Sequence, residues 1–232
     1  MRTVAIVQAR TTSSRFPGKV LADLAGEPML AWVLRRARAS AVDEVVVATT
    51  VNADDDPLIP VAEREGARWF RGDEHDVLGR YVHAAREAQA DAVVRLTADC
   101  PLLDAEVVDR VIAALRDDEE PVDYAANVIV RTFPQGLDAE AMFLDVLLRA
   151  DRMGRSPESR EHVTWFIREE RPDLFELRSV TADENDSDLQ WSVDHPADLD
   201  RVRGVFAALD LDARPLPYRD VVAHVRSARA EA

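Results

Sequence analysis

The sequence predicts an α/β fold built on a doubly wound, mostly parallel sheet. Two observations carry this prediction: apolar, β-branched runs alternate with amphipathic stretches through the first half, and each run lacks the polar alternation of a half-exposed strand. The 232 residues suffice for one such domain with a full core, and a content of 47% apolar and 31% charged residues argues against disorder. We therefore expect one domain over residues 1–232.

The predicted elements follow from these patterns in chain order. In the first half, strands are expected over 3–8, 44–49 and 92–96, and helices over 28–38, 57–65 and 76–89. In the second half, strands are expected over 124–130, 174–180 and 189–193, and helices over 141–152, 157–170, 196–209 and 218–230. The pattern changes character after residue 124, so 124–182 is interpreted as an inserted lobe or dimerisation region.

Charge and composition exclude several classes of function. The formal net charge of −15 repels nucleic acid and anionic membranes, so no nucleic-acid partner is expected. No apolar run approaches the roughly 20 residues that span a bilayer, and the first residues resemble a strand rather than an export signal. We expect no membrane association and a cytoplasmic location. Cys100 is the only cysteine, which excludes an intramolecular disulfide.

A cationic loop, residues 8–19, follows the first predicted strand. It contains Arg10, Arg15 and Lys19 among small hydroxyl residues such as Ser14, and Lys19 is the only lysine of the chain. Turning backbone amides, guanidinium forks and one compact ammonium are groups that bind a triphosphate. The alternative is an ordinary surface turn at Pro17 and Gly18.

Two aspartates each follow an apolar run that predicts a strand. Asp99 and Asp194 are expected at the carboxyl edge of the sheet, where two carboxylates facing the cationic loop could hold Mg²⁺. A turn or a helix cap is the alternative for such aspartates, and Asp104 and Asp198 fit helix starts better. The acidic run 52–57 is interpreted as a solvated loop and helix cap.

These motifs resemble the cytidylyltransferases that activate acidic sugars, the ketodeoxyoctonate and acylneuraminate enzymes, and most of all the branch of the spore coat polysaccharide biosynthesis proteins. The similarity runs in order along the whole chain. The first motif of the resemblance comprises Ala9-Arg10, Ser13-Ser14-Arg15 and Pro17-Gly18-Lys19. The later motifs are Thr97-Ala98-Asp99-Cys100-Pro101, Phe133-Pro134 with Gly136-Leu137-Asp138 and Glu140, Arg160-Glu161-His162-Val163-Thr164, and Val193-Asp194 with Pro196 and Asp198-Leu199.

The resemblance implies a fold like that of the nucleotide-diphospho-sugar transferases and a role for each motif. The implied Mg²⁺ ligands are Asp99 and Asp194, and the implied catalytic cations on the triphosphate are Arg10, Arg15 and Lys19. Ala9, Ser14, Arg71, Thr97 and Ala98 complete the implied nucleotide site, with Arg71 near the base. The implied acceptor side, or a dimer partner's contribution to it, comprises Asp138, Glu140, Arg160 and His162, which makes 124–182 an inserted acceptor or dimerisation region. The sugar-acid enzymes have Gln-Gly where this chain has Thr97-Ala98, so contacts to the base differ.

The predicted function is Mg²⁺-dependent transfer of CMP from CTP to a small acidic or sugar-like acceptor, with release of pyrophosphate. Sugar phosphates and phosphonates remain open as acceptors, and the resemblance implies a homodimer. One alternative is a glycosyltransferase with a nucleotide-sugar donor, but Asp99 lacks a second Asp two residues away and the loop suits a triphosphate better. Another is a catalytically silent binding module, which would be expected to have lost a metal aspartate or the loop cations.

Overall fold

The computed structural model describes residues 1–117 and 119–230. Its strands, in chain order, are β1 (Thr3–Gln8), β2 (Asp23–Leu24), β3 (Glu27–Pro28), β4 (Glu44–Thr50), β5 (Arg68–Gly72), β6 (Ala92–Thr97), β7 (Tyr124–Ala126), β8 (Glu140–Phe143) and β9 (Leu177–Ser179). Its α-helices are α1 (Met29–Arg38), α2 (Leu58–Arg64), α3 (Val77–Glu87), α4 (Ala105–Leu115), α5 (Leu144–Met153), α6 (Pro157–Glu161), α7 (Pro196–Leu209) and α8 (Tyr218–Ala230).

Seven of the described strands form one sheet in the order β5-β4-β1-β6-β8-β7-β9, while β2 and β3 pair separately. The neighbours from β5 to β6 are parallel, β8 runs antiparallel to both β6 and β7, and β7 and β9 are parallel. This arrangement confirms the predicted mostly parallel sheet. The strand order reverses between β1 and β6, and such a reversal opens a crevice at the carboxyl ends of the strands.

Helices cover both faces of the sheet because the strands are apolar on both sides. Ala5 and Val7 belong to a core that includes side chains of α1, α4, α7 and α8, while Val4 and Ile6 belong to a core with α3 and α5. Adjacent residues of a strand point to opposite faces, so β1 contributes to both cores. Within the described part of the chain, no helix is long and apolar enough to cross a membrane.

Tyr81, on α3, fixes the two strands on either side of the reversal. Its buried hydroxyl lies 3.1 Å from the carbonyl oxygen of Ile6 and 3.0 Å from that of Leu96, so it bridges β1 and β6. Burial raises the pKa of Tyr81, which keeps the hydroxyl protonated and able to donate. The strand ends at Gln8 and Thr97 are thereby held side by side.

The first-half elements agree with the predictions within a few residues, whereas several second-half predictions were wrong. The predicted strand 124–130 ends at Ala126, and residues 141–143, expected in a helix, belong to β8. The predicted helix 157–170 is broken between α6 and a π-helical turn, Phe166–Glu170. The segment 189–193 is not a strand, because it makes only one bridge, between Gln190 and Gln135, outside the sheet.

Residues 124–182 are not separate from the sheet, since β7, β8 and β9 extend it beyond β6. Ala141 and Met142 fit either a helix or a buried strand by composition, and long-range pairing decides between the two. Here Arg95 of β6 aligns with Glu140 of β8. The interpretation of 124–182 as an acceptor or dimerisation region stays a prediction.

Candidate active site

A cavity of about 410 Å³, called here the first cavity, opens at the carboxyl ends of β1 and β6. It lies where the strand order reverses, as expected for a ligand site in such a sheet. Of the residues predicted to bind nucleotide, those that line it are Ala9, Arg10, Ser14, Arg15, Lys19, Thr97 and Ala98. Residues that lie far apart in the sequence, such as Ala9 and Ala98, thus meet in one concave site.

The cationic loop that follows β1 is held in shape by Thr11 and Asp55. The carbonyl of Thr11 accepts the amides of Ser13 (2.9 Å) and Gly18 (2.8 Å), and Gly18 adopts a left-handed conformation with φ of 72°. Asp55 accepts the amide (2.7 Å) and hydroxyl (2.8 Å) of Thr11 and the hydroxyl of Thr50 (2.5 Å). The loop is therefore anchored to the end of β4.

Asp55 corrects one sequence interpretation, because the acidic run 52–57 is not simply a solvated loop. Asp55 is fully buried, while its neighbour Asp54 is exposed. Burial raises the pKa of Asp55, but hydrogen bonds from Thr50 and Thr11 outweigh burial and hold the pKa below its ordinary value. The run supplies a buried anchor that charge patterning alone could not distinguish from its exposed neighbours.

Lys19 connects the cationic loop to both predicted metal ligands. Its ammonium donates to Asp99 Oδ2 (2.8 Å), to Asp194 Oδ1 (3.2 Å) and to the carbonyl of Val193 (2.7 Å). Burial lowers the pKa of Lys19, but the two carboxylates outweigh burial, so the pKa is raised and the ammonium stays charged. All three of its protons are in use, and Arg15 adds a second cation to Asp194 Oδ1 at 2.8 Å.

Different hydrogen bonds position the two carboxylates. Asp99 follows β6, and its Oδ1 accepts the hydroxyl of Thr97 at 2.6 Å. Asp194 precedes α7, where Asp198 Oδ2 accepts the amides of Asp194 (3.0 Å) and His195 (2.8 Å). Asp198 therefore acts at the helix start, as the sequence predicts. The amide of Val193 donates to the carbonyl of Asp99 at 2.9 Å, which joins the two segments.

The pair of carboxylates suits a hard divalent cation such as Mg²⁺. Asp99 and Asp194 converge on one ammonium, so both face the same small volume. Across residues 1–117 and 119–230, no group of three or more His, Cys, Asp or Glu side chains could hold a metal ion. A cation here would draw its other ligands from substrate oxygens and water, which is the coordination that Mg²⁺ prefers.

A second cavity, of about 220 Å³, shares Thr97, Asp99 and Asp194 with the first cavity. Its other walls include two of the predicted acceptor residues, Asp138 and Glu140. The two carboxylates thus stand at the junction of two cavities. This arrangement can hold two reacting molecules on either side of one charged centre.

Asp138 and Glu140 differ in how far they are available to a ligand. Asp138 is 33% exposed and pairs with Arg131 through both oxygens, at 2.6 and 2.8 Å. Glu140 is 2% exposed, and its carboxylate accepts from Arg95, Tyr124 and, at 2.6 Å, Thr164. Both Glu140 oxygens are engaged within the fold, so Asp138 is the better placed of the two for an acceptor contact.

The other three predicted site residues do not line the cavity that was expected for them. His162 lines the first cavity rather than the second. Arg160 lines neither, because its guanidinium pairs with Asp76 (2.5 Å) and Asp151 (2.8 Å). Arg71 also lines neither: it donates to the carbonyls of residues 50 and 52, at 2.7 Å each, and pairs with the carboxylate of residue 56. The predicted ligand roles of all three stay predictions.

Sequence reasoning assigned no role to several residues that line the cavities, among them four polar side chains. Gln8 and Arg80 line the first cavity, and Gln135 and Ser192 line the second. A signal existed for Gln8, which ends a predicted strand at the sheet edge. Arg80 shares a helix face with Val77, but only the packed fold shows that this face borders a cavity. Gln135 and Ser192 meet through loop contacts that no periodicity reveals.

The fold and the site define an α/β enzyme of the nucleotidyltransferase class. A family model described as Cytidylyltransferase matches residues 4–201. The spore coat polysaccharide biosynthesis protein SpsF of Bacillus subtilis (strain 168) is 31% identical over 209 residues, which cover 87% of this chain and 85% of SpsF. The chain belongs to the cytidylyltransferase family, and the resemblance seen in its motifs is confirmed.

Two solved structures agree with this assignment. A cytidylyltransferase from Leptospira borgpetersenii serovar Hardjo-bovis (strain JB197) superimposes with a TM-score of 0.92 at 28% identity, covering 99% of this chain and 96% of the other. A CMP:2-keto-3-deoxy-manno-octonic acid synthetase complexed with CTP gives a TM-score of 0.70 at 24% identity, covering 90% of this chain and 99% of the other. The second likeness concerns the fold alone.

Proposed function

We propose that this cytidylyltransferase transfers CMP from CTP to a small acidic or sugar-like acceptor, depends on Mg²⁺ and releases pyrophosphate. The observation that carries the proposal is the position of Asp99 and Asp194 at the junction of the two cavities, with Lys19 between them. The first cavity would hold the nucleotide and the second the acceptor. The reacting phosphorus would then lie beside the two carboxylates.

The lining of the first cavity supports a triphosphate ligand. Arg10, Arg15 and Lys19 line it within a chain whose net charge is −15, so this loop concentrates positive charge in an acidic protein. Ala9 and Ser14 line the same cavity and complete the loop. Membership of the cytidylyltransferase family supports CTP as the nucleotide, and a relative with the same fold was solved with CTP. Charge-assisted hydrogen bonds from these side chains would hold the phosphates.

The reaction proposed is a direct in-line attack of an acceptor oxygen on the α-phosphorus, with pyrophosphate leaving. Asp99 and Asp194 would hold the Mg²⁺, which when bound neutralises phosphate charge and polarises the α-phosphoryl group. Arg15 and Lys19 would stabilise the charge that develops on the leaving group. Because all three protons of Lys19 are in use, a contact to phosphate requires it to give up at least one present partner.

The acceptor is proposed to lie in the second cavity, against Asp138, Gln135 and Ser192. The acceptor classes consistent with the family are acidic sugars, sugar phosphates and phosphonates. SpsF is named as a protein of spore coat polysaccharide biosynthesis, which supports a sugar-like acceptor here. No side chain of the second cavity is assigned as a general base.

We further propose that residues 124–182 contribute a homodimer contact. Ile129 and Val130 in this region are 36% and 54% exposed, and Met153 is 44% exposed. Apolar side chains of this size suit burial against a second copy. Sedimentation equilibrium tests this: a dimer that dissociates in the Val130→Asp variant is expected, and a monomer at all concentrations would contradict the proposal.

Pyrophosphate release tests the proposed reaction. Each of the four nucleoside triphosphates is incubated with Mg²⁺ and a panel of acidic sugars, sugar phosphates and phosphonates. Release that requires CTP and one acceptor class is expected, and it should be abolished in Asp99→Ala and Lys19→Ala. Absence of release with every pair, together with transfer from a nucleotide sugar, would instead favour a glycosyltransferase.

A further inference from the structure

Arg80, in the first turns of α3, is a buried cation that lines the first cavity. It is 3% exposed, and its Nη1 donates to the carbonyls of Asp73 (2.6 Å) and Glu74 (3.1 Å). Its Nη2 makes no hydrogen bond within the described chain, and its buried Nε also lacks a partner there. Gly72 leaves the room for this side chain, since a Cβ there would lie 2.7 Å from Arg80 Cγ.

The absence of a carboxylate partner among the described residues separates Arg80 from most other arginines of the chain. Burying a charged guanidinium without a carboxylate partner lowers the stability of the fold. We therefore expect the N–H groups of Arg80 to bind a ligand. The two carbonyls bind Nη1 and so fix the plane of the guanidinium, which leaves Nη2 as a directed donor at the cavity wall.

The surroundings of Arg80 differ from those of Lys19 and Arg15. Lys19 contacts Asp99 and Asp194, and Arg15 contacts Asp194, on the β6 side of β1. Arg80 instead binds the carbonyls that directly follow β5, on the opposite side of β1 in the strand order. Arg80 is therefore set apart from the two carboxylates where the metal is proposed to bind, while Arg10 of the loop, paired with Glu74 at 3.6 Å, lies on the same side as Arg80.

Part of the lining of the first cavity suits a flat, polar ring rather than a phosphate. Val77, one helical turn before Arg80, and Ala98 supply apolar surface. The hydroxyl of Thr97 is already donated to Asp99, so it has no free proton. Outside the cationic loop, the side-chain donors of this lining include Arg80 Nη2 and the amide of Gln8, whose oxygen accepts from an arginine of β6 at 3.4 Å. An apolar surface with one or two convergent donors is typical of a site that orients a base.

We propose that Arg80 is a specificity residue that recognises the cytosine of CTP, with Nη2 donating to the ring nitrogen N3 and the neighbouring carbonyl oxygen O2. The inference rests on the proposed function of the first cavity as the CTP site. Cytosine N3 accepts a hydrogen bond, whereas uracil N3 carries a proton and repels a cationic donor. Arg80 would therefore favour CTP over UTP, while the phosphates common to both bind the loop cations.

Isothermal titration of CTP and UTP, with Mg²⁺ and without acceptor, tests the proposal in the wild type, Arg80→Met and Arg80→Lys. The matched control is Arg36→Met: Arg36 is also buried, donates to the carbonyl of Leu103 at 3.2 Å and lines neither cavity. We expect Arg80→Met to weaken CTP binding about tenfold or more with a smaller effect on UTP, which lowers the CTP preference. Arg36→Met should leave the preference unchanged.

Several outcomes would overturn the assignment of Arg80. An equal loss of CTP and UTP affinity would mean that Arg80 binds phosphate or only supports the fold, and unchanged affinity would mean that it does not contact the nucleotide. Circular dichroism melting shows whether each variant is folded, and Arg80→Lys serves if Arg80→Met is not. A wild type that binds no CTP would instead contradict the proposed function itself.

Discussion

At the residue scale, Lys19 holds together two carboxylates that would otherwise repel each other. Its ammonium lies within 3.2 Å of both Asp99 and Asp194, so it occupies the volume between the proposed metal ligands. Two carboxylates facing one volume need a cation between them. Lys19 supplies that cation in the structure, and a divalent metal bound by the same oxygens would have to displace it in part.

Replacing Lys19 tests this competition directly. We expect Lys19→Met to bind Mn²⁺, a probe for Mg²⁺, about tenfold more tightly than the wild type in the absence of nucleotide, because a competing positive charge is removed. Electron paramagnetic resonance titration of free Mn²⁺ measures the affinity. Lys19→Arg, which keeps the charge, should bind Mn²⁺ as weakly as the wild type. Equal affinity in Lys19→Met and the wild type would show that the ammonium does not compete with the metal.

Glu140 and Asp138 are expected to respond differently to neutralisation. Glu140→Gln removes the buried charge that pairs with Arg95, so we expect it to lower the free energy of unfolding by about 3–5 kcal/mol. Asp138→Asn, at a partly exposed pair, should cost less than about 1 kcal/mol and raise the acceptor KM instead. Urea unfolding and steady-state kinetics separate the two. An equal loss of stability in both variants would contradict the distinction.

At the element scale, the loop that ends in Asp194 depends on close contact with the loop before β8. Gly136 has a φ of +103°, and a Cβ there would lie 2.5 Å from the amide nitrogen of Ser192. The carbonyl of Gln135 accepts the amides of Trp191 (2.7 Å) and Ser192 (3.2 Å). Backbone contact between these loops therefore fixes the position of Asp194, which follows Ser192 by two residues.

Gly136→Ala is expected to displace that loop. We expect it to lower stability by about 1–3 kcal/mol and to reduce transferase activity, because both the left-handed conformation and the close contact are lost. Gly204→Ala is the matched control: Gly204 lies within α7 with open space around it, so alanine should stabilise the protein by roughly 0.5–1 kcal/mol. Full activity in Gly136→Ala would show that the loop contact does not position Asp194.

The elements that could be predicted are those whose pattern has one interpretation. Residues 3–8 are apolar on both faces, and the start of α4 follows a cap whose Asp104 accepts the amide of Val107 at 3.1 Å. Prediction failed where distant pairing decides the structure. Residues 141–143 become a strand because β6 and β7 lie on either side, and residues 189–193 stay outside the sheet because they contact the loop at Gln135.

At the scale of the whole molecule, the stability of the fold is linked to pH through its buried carboxylates. Burial raises the pKa values of Asp99 and Glu140, but Lys19 and Arg95, respectively, outweigh burial and hold them below 3.8 and 4.5. A lowered pKa contributes stability above the unfolded value, which is lost as the pH falls through the folded value. The raised pKa of Lys19 contributes stability below 10.5, which is lost at higher pH.

Urea unfolding as a function of pH tests this linkage. We expect the free energy of unfolding to be nearly constant between about pH 6 and pH 9 and to fall below about pH 4. Asp99→Asn should show a smaller loss in acid than the wild type, because one of the linked carboxylates is absent. A wild-type curve that rises on acidification, or the same slope in Asp99→Asn, would contradict the assignment.

Only some residues of the candidate site could be predicted from the sequence of the whole molecule. Lys19 and Asp99 stood out as a lone lysine and a strand-end aspartate, and the predicted parallel sheet places such ends at one edge. The direct contact between them spans 80 positions and follows only from packing. Arg80 gave no sequence signal, since an arginine on an amphipathic helix is ordinarily solvated.

The most direct test of the account follows the fate of the α-phosphate of CTP. The enzyme, Mg²⁺ and the acceptor panel are incubated with CTP radiolabelled either at the α-phosphate or at the γ-phosphate. We expect the α-label to enter an acceptor product and the γ-label to leave in pyrophosphate, in equal amounts. Label that stays in CTP with every acceptor, or γ-label transferred to an acceptor, would contradict cytidylyl transfer at the junction of the two cavities.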